Sequence, residues 1–84
     1  MDAYEIARRA NELPSGFQDR LSVDAYEDVH RSIDAGEWGE GLDNLLAGLH
    51  QSGATITADE HRRLAELMRA INMPPDRLDR LTVH

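Results

Sequence analysis

The sequence predicts an all-α protein: a small compact bundle of four to five helices, forming a single domain over residues 1–84. Apolar residues recur every three or four positions in four or five segments, which is the spacing of one buried helix face. No segment alternates apolar and polar residues as a half-buried strand would. Helix caps, glycines and prolines separate the segments, and a chain of this length can bury one small core.

The first helix is predicted to run from about Asp2 to Glu12. Pro14 disfavours a helical conformation at the residue before it, so the sequence LPSG is expected to end this helix. Phe17 and Leu21 would then cover the core from the connection. The predicted buried face of the helix consists of Ala3, Ile6, Ala7 and Ala10.

The second helix has a suitable N-cap in Ser22 and a suitable stop in Gly36. Its residues separate into an apolar stripe and a charged face, as expected for a helix with one side in solvent. The apolar stripe consists of Val23, Tyr26, Val29, His30 and Ile33. The charged face consists of Asp24, Glu27, Asp28, Arg31 and Asp34.

The third helix is predicted to begin near Glu37 or Trp38 and to end at Gly53. Trp38 and the leucines of this helix are expected to form the centre of the core. Gly39 and Gly41 each cost up to about 1 kcal/mol relative to alanine within a helix, which indicates that something approaches the backbone closely there. The predicted buried face consists of Trp38, Leu42, Leu45, Leu46 and Leu49.

The fourth helix has the clearest start signal, a capping box in which Thr57 and Glu60 each satisfy the other's backbone amide. A last short helix should follow the sequence NMPP, with Pro75 near its start and with Leu78 and Leu81 facing inward. The buried stripe of the fourth helix consists of Leu64, Ala65, Leu67, Met68 and Ile71.

Negative charge is concentrated in one part of the chain. The sequence has 16 acidic residues against nine arginines and no lysine, and its formal net charge is −7. Residues 19–43 hold eight of the acids and two of the arginines, whereas residues 44–84 are balanced. This excess argues against nucleic acid as a direct partner because phosphates would be repelled. It favours a binding surface for a basic protein, with a solvated face that aids solubility as the alternative.

The sequence also argues against an enzyme. The glycine-rich stretch DAGEWGEGLDNLL, residues 34–46, has neither the spacing of a phosphate-binding loop nor a preceding strand. The four histidines lack the spacing of a metal-binding helix, there is no cysteine, and no serine has the setting of an acyl-carrier attachment site. We therefore expect no catalytic site, no metal and no cofactor. The histidines are His30 and His61, expected at the edge of the core, His50, near a helix end, and His84, expected to be frayed.

The start of the chain is charged, and no apolar run approaches the length of a membrane span. We therefore expect a cytoplasmic protein with no signal peptide and no membrane partner.

The candidate site is a surface. If the second and third helices are adjacent and antiparallel, their carboxylates would form one continuous rim, here called the acidic surface. Such a rim speeds encounter with a basic protein and disfavours wrong partners. Trp38 would be a core anchor by its spacing, or an interface hot spot if it is exposed. The predicted partner-binding residues are Asp24, Glu27, Asp28, Asp34, Glu37, Trp38, Glu40 and Asp43.

The block VHRSIDAGEWGEGLDNLLAGLHQSGATITADEHRRLAELMRAINM resembles the MafI-type immunity proteins of bacterial polymorphic toxin systems. The resemblance covers about residues 21–73 and rests on the Gly-Glu-aromatic-Gly turn at residues 36–39, the leucine-rich helix, and the Ile-Thr connection at residues 56 and 57. Gly41 departs from the pattern, which prefers alanine there. The resemblance implies a non-enzymatic protein that binds and neutralises a cognate toxin, often a nuclease, inside the producing cell. It assigns no contact residues, so the acidic surface rests on charge alone.

The alternative function is a structural or regulatory helical domain that self-associates. Leucine stripes on several helices would give such a domain the apolar face of a homodimer.

Overall fold

Four α-helices form the body of the molecule, and a computed structural model describes them together with the rest of residues 1–84. The fold is the predicted all-α bundle. The α-helices are α1 (Ala3–Phe17), α2 (Val23–Asp34), α3 (Trp38–Ser52) and α4 (Ala58–Ala70). Two 3₁₀-helices cover Gln18–Arg20 and Pro75–Arg80, and two short strands are β1 (Thr55–Ile56) and β2 (Thr82–Val83).

The helix caps lie where the sequence places them. The Ser22 side chain accepts from the backbone amide of Ala25, and the Thr57 and Glu60 capping box is complete. Gly36 and Gly53 adopt left-handed conformations, with φ of 76° and 67°, after α2 and α3. A residue with a Cβ would be strained in either turn, which is why glycine ends both helices.

The centre of the core consists of the leucines of α3. Leu42, Leu45, Leu46 and Leu49 are at most 5% exposed. Trp38 is only partly buried and packs against the edge of this cluster, so the prediction that it forms the centre of the core was wrong. Its position at the first residue of α3 places it beside the turn that enters the helix rather than between helices.

The α2–α3 hairpin is the most extensive helix contact in the molecule. At Gly41 an added Cβ would lie 2.9 Å from Ile33 Cγ1 and closer still to Cδ1, and at Gly48 one would lie 2.9 Å from Leu21 Cδ2. The close approach predicted at Gly41 is therefore confirmed, and the neighbour is α2. At Gly39 an added Cβ would meet only the sulfur of Met73, at an ordinary 3.9 Å, so the prediction of a close approach there was wrong.

Helix α1 continues five residues beyond its predicted end. It runs through Pro14 to Phe17, although Pro14 has no amide to donate to the preceding turn. The reason is burial: Leu13, Pro14 and Phe17 are all buried in this extra length. Burying a side chain such as Phe17 contributes roughly 1.5–3 kcal/mol, which offsets the local preference of proline.

The buried face of α2 is rotated relative to its predicted stripe. Val23 is 73% exposed and His30 is also exposed, so both predictions were wrong. Ser32 is buried instead, and its hydroxyl accepts a hydrogen bond of 3.2 Å from the Asn44 side chain on α3. The packing of α3 on this side of α2 decides which residues are covered, and the periodicity of α2 alone does not show where α3 lies.

A two-stranded parallel sheet was missed. Thr55 pairs with Thr82 and Ile56 with Val83, and the amide of His84 donates to the Ile56 carbonyl at 2.9 Å. His84 is therefore held by the sheet, and the expectation that it is frayed was wrong. Strands of two residues are too short for an alternating pattern to show in the sequence.

The last helix is a 3₁₀-helix, and its Leu78 and the residue that follows its end, Leu81, face inward as predicted. Leu78 is 0% and Leu81 is 7% exposed. This short helix closes the bundle against α3 and α4.

Candidate functional site

The charged face of α2 lies in solvent. Its helical spacing puts these residues opposite Val29 and Ile33, which are buried, and the structure exposes every one of them. The exposed charged residues are Asp24, Glu27, Asp28, Arg31 and Asp34.

These carboxylates occupy two flanks of α2. Asp24 and Asp28 line a groove of about 270 Å³ between α2 and α3 together with Asn44 and Gln51. Glu27 and Asp34 line a shallow depression with Tyr26 and His30 on the other flank of the helix. The acidic surface on α2 is therefore divided between two flanks, with Arg31 beside Glu27 and Asp34 on the second, and is not the single continuous rim that the sequence predicted.

The start of α3 adds Glu37 and Glu40 to this surface. Hydrogen bonding and repulsion from the Glu37 carboxylate, with smaller contributions from burial and from Asp43, raise the pKa of Glu40. Both glutamates are exposed, so the cause is the proximity of like charges rather than an apolar pocket. The sequence showed these acids to be neighbours, but not that their interaction would perturb a pKa.

Two of the seven predicted carboxylates are neutralised within the molecule. Asp43 forms an ion pair with Arg77 of the last 3₁₀-helix. Asp28 accepts from Arg31 at 3.0 Å, one turn further along α2. The other five have no arginine partner, although Asp34 lies 3.3 Å from His30 Nδ1. These five, called the unpaired acids, are Asp24, Glu27, Asp34, Glu37 and Glu40.

Positive charge in the rest of the molecule is mostly compensated. Arg20 forms a bidentate pair with Glu60, with both N–O distances 2.7 Å, and Arg9 bridges Glu5 and Glu66. The remaining acids without an arginine partner are dispersed: one caps α1 and the others lie on the two 3₁₀-helices. The uncompensated negative charge of the molecule is therefore concentrated on α2 and the start of α3. The dispersed acids are Asp2, Asp19, Asp76 and Asp79.

Trp38 directly follows the unpaired acid Glu37 at the start of α3 and is partly exposed. The side chain packs against the core cluster and is only partly buried there. A half-buried indole of this kind is held in place by its core contact while it presents apolar area to a partner.

The structure contains no group of three or more histidine, aspartate or glutamate side chains arranged to hold a metal ion. His30 is exposed and stacks against Tyr26, with 5.8 Å between the ring centroids. No helix combines the length and the apolar character that crossing a membrane requires.

One cluster was missed at the sequence level. His50, near the end of α3, and Arg77 and Arg80 of the last 3₁₀-helix line a depression of about 290 Å³. The signal that could have revealed it is the tandem tripeptide DRLDRL at residues 76–81, which places the two arginines three residues apart.

Comparison with protein-family models, with curated proteins and with solved structures finds no match to this chain.

Proposed function

We propose that this chain is a non-catalytic immunity protein that binds a basic bacterial toxin through the acidic surface and neutralises it inside the producing cell. The observation that carries the proposal is the set of five unpaired acids on α2 and the start of α3. Carboxylates without an arginine partner of their own are available to arginines and lysines of another protein.

The charge of the surface selects the class of partner. Uncompensated negative charge attracts a positively charged protein over a distance of about 8–10 Å at physiological ionic strength and so raises the association rate. Basic clefts that hold nucleic acid are common surfaces of this character, and an acidic domain in such a cleft would exclude the nucleic acid. A nuclease toxin is therefore the proposed target.

The turn between α2 and α3 also supports the proposal, since the resemblance to MafI-type immunity proteins rests on it. Gly36 adopts a left-handed conformation after α2, and Glu37 and Trp38 follow it as the N-cap and the first residue of α3. The turn and the first residues of α3 thus carry two exposed carboxylates, at Glu37 and Glu40, and one half-buried aromatic ring.

Self-association through the leucines is less well supported. The leucines of α3 are at most 5% exposed within one chain, so they are not available for a dimer face. The large apolar side chains that remain exposed are few: Met1, Tyr4, Val23 and Val83.

We expect a gene adjoining that of this chain to encode a large secreted protein, and the test uses the C-terminal domain of that protein. Binding is measured by calorimetry at low and at physiological salt, for the wild type and for the triple variant Glu27→Gln, Glu37→Gln and Glu40→Gln. We expect the triple variant to bind about tenfold more weakly and to lose most of the salt dependence. Asp43 is left unchanged because it pairs with Arg77.

The matched control neutralises three acids elsewhere, by Asp19→Asn, Asp76→Asn and Asp79→Asn, and so makes the same change to the net charge. It should bind within about threefold of the wild type, because distant exposed charges contribute little to a specific contact. Equal losses in the two triple variants would show a non-specific charge effect and would contradict the proposal. A wild type that neither binds this domain nor relieves its toxicity on co-expression would also overturn it.

A further inference from the structure

The last 3₁₀-helix separates its side chains into three faces. The sequence DRLDRL, residues 76–81, runs from the second residue of this helix to the residue after its end and repeats every three residues, and a 3₁₀-helix has three residues per turn. Leu78 and Leu81 form the buried face. Arg77 and Arg80 consequently share one exposed face, and the two aspartates share the other.

The arginine face borders a depression against the end of α3. His50, Gln51, Arg77 and Arg80 line its sides, and Leu46 and Leu81 contribute an apolar floor. The two aspartates of the repeat do not line it. The volume of about 290 Å³ lies at the lower end of the range for small-molecule sites.

The charges in this depression are incompletely compensated. Seven of the nine arginines have a carboxylate partner, and the two without one are Arg69 and Arg80. Arg77 has a single carboxylate partner, Asp43. His50 has no ion-pair partner either. The depression is therefore lined by one guanidinium without a carboxylate partner, Arg80, by the Asp43-bound Arg77 and by a histidine, in a chain of net charge −7.

The C-terminal end of α3 repels an anion in this depression less strongly than a helix end with unsatisfied carbonyl groups would. The amide of Gly53 donates to the His50 carbonyl at 3.1 Å, and the amide of Ala54 donates to the Leu49 carbonyl at 3.1 Å. These bonds satisfy carbonyls that would otherwise carry the negative end of the helix dipole.

We propose that this depression binds a small organic oxyanion, a phosphate monoester or a carboxylate, with its apolar part on Leu46 and Leu81. The guanidinium groups of Arg77 and Arg80 would hold the oxyanion, since a planar guanidinium matches the geometry of phosphate and carboxylate oxygens. None of the five unpaired acids lines this depression, so the site is independent of the proposed toxin-binding function.

The test is a titration of the ¹⁵N-labelled protein, followed by NMR, with phenyl phosphate, benzoate and inorganic phosphate in parallel at constant ionic strength. Saturable shifts at His50, Gln51 and Arg80 are expected for phenyl phosphate or benzoate, and the tighter of the two identifies the class of oxyanion. Inorganic phosphate should bind at least about threefold more weakly, because it cannot use the apolar floor. Equal binding of inorganic phosphate would overturn the part of the proposal that concerns the floor.

The matched variants are Arg80→Gln, which tests the site, and Arg69→Gln, which is the control. Each removes one of the two arginines that lack a carboxylate partner. Arg80→Gln should weaken binding about fivefold, whereas Arg69→Gln should leave it within about twofold. Both arginines are exposed, so both variants should retain the wild-type fold and spectrum. Equal losses in the two variants, or shifts that do not saturate, would show general electrostatic attraction only and would overturn the site.

Discussion

Gly41 and Gly48 are the points at which α3 comes closest to α2 and to the segment before it. Neither needs the special backbone freedom of glycine, since both lie within a helix. What they supply is space: a Cβ at Gly48 would lie 2.9 Å from Leu21 Cδ2 and 3.0 Å from Ala25 Cβ. At these residues the close packing of the hairpin outweighs the lower helix propensity of glycine.

We expect Gly41→Ala and Gly48→Ala each to lower the free energy of unfolding by about 1–3 kcal/mol, because the added methyl group overpacks the hairpin. Urea denaturation followed by circular dichroism measures the change. The control is Gly16→Ala in α1, where no atom lies within 4 Å of the added Cβ. This variant should gain up to about 1 kcal/mol from helix propensity, and a loss there would contradict the explanation.

Arg20 joins several elements through one half-buried guanidinium. It donates to the Gly16 carbonyl at 3.2 Å, to the Thr55 carbonyl at 3.2 Å, and to both carboxylate oxygens of Glu60. It also lies over the Phe17 ring, 4.6 Å from the centroid. The hydrogen bonds from Arg20, and then those from Thr57 at the cap, lower the pKa of Glu60 to about 2 against the opposing effect of burial.

This lowered pKa predicts an acid-dependent loss of stability. The folded-state pKa lies below the ordinary value of 4.5, so the ion pair stabilises the fold above that pH and ceases to do so as the pH falls towards 2. Glu60→Gln keeps an acceptor for the capping box but removes the charge. We expect it to cost on the order of 1–2 kcal/mol at neutral pH and almost nothing at about pH 2, since solvent screens part of the pair.

Urea denaturation of both proteins over this pH range measures the difference. Glu12→Gln is the control, because Glu12 is 63% exposed and pairs only with Arg8. Its effect should be small at every pH. A Glu60→Gln variant whose stability difference from the wild type is the same at acid and neutral pH would contradict this assignment.

Among the elements, the last 3₁₀-helix shows how a short segment is held by tertiary contacts. Six residues of 3₁₀-helix have little stability of their own. Leu78 anchors the segment in the core, the β1–β2 pairing holds the residues that follow it, and Arg77 attaches it to Asp43 on α3. Each contact comes from a different element, so the segment is ordered only when the bundle is folded.

We therefore expect Leu78→Ala to destabilise the whole molecule by about 2–5 kcal/mol through the cavity it leaves, and not merely to loosen the end of the chain. Thermal unfolding should remain a single transition at a lower midpoint. Asp79→Ala, an exposed change on the same helix, should have an effect within about 0.5 kcal/mol. Faster amide hydrogen exchange confined to the last residues, with an unchanged midpoint of thermal unfolding, would show that Leu78 does not contribute to the common core.

For the elements, the sequence predicted where the helices begin better than where α1 ends. Ser22 and Thr57 each accept a hydrogen bond from the amide three residues further along the chain, so their effect can be derived from the local sequence. The end of α1 depends on the burial of Leu13 and Phe17 against other helices, which a local pattern does not contain. The pairing of Thr55 with Thr82 likewise joins residues far apart in the sequence.

At the scale of the whole molecule, the net charge is −7 and the negative charge is concentrated on α2 and α3. Carboxylates on these helices therefore repel one another in the folded state. Glu40 is the clearest sign, because its pKa is raised by Glu37. A carboxyl group with a raised folded-state pKa opposes folding when it is ionised, so its unfavourable effect appears as the pH rises through that pKa.

We expect the midpoint of thermal unfolding at neutral pH to rise with added sodium chloride up to physiological ionic strength, because salt screens this repulsion. Glu40→Gln should raise the midpoint at low salt, and the gain should diminish as salt is added. The control Asp43→Asn should instead lower it slightly, since Asp43 is paired with Arg77. A Glu40→Gln variant that is less stable at low salt would contradict the assigned repulsion.

The sequence by itself determined the all-α class, the helix starts, the leucine core of α3 and the concentration of acids in residues 19–43. These features depend on helical periodicity and on neighbours within a few residues. Only the tertiary structure decided that Trp38 lies at the edge of the core, that Asp43 is neutralised by Arg77, and that the α2 carboxylates divide between two flanks. Each of these depends on which elements pack together, and a helix's own spacing does not specify the direction from which its neighbour approaches.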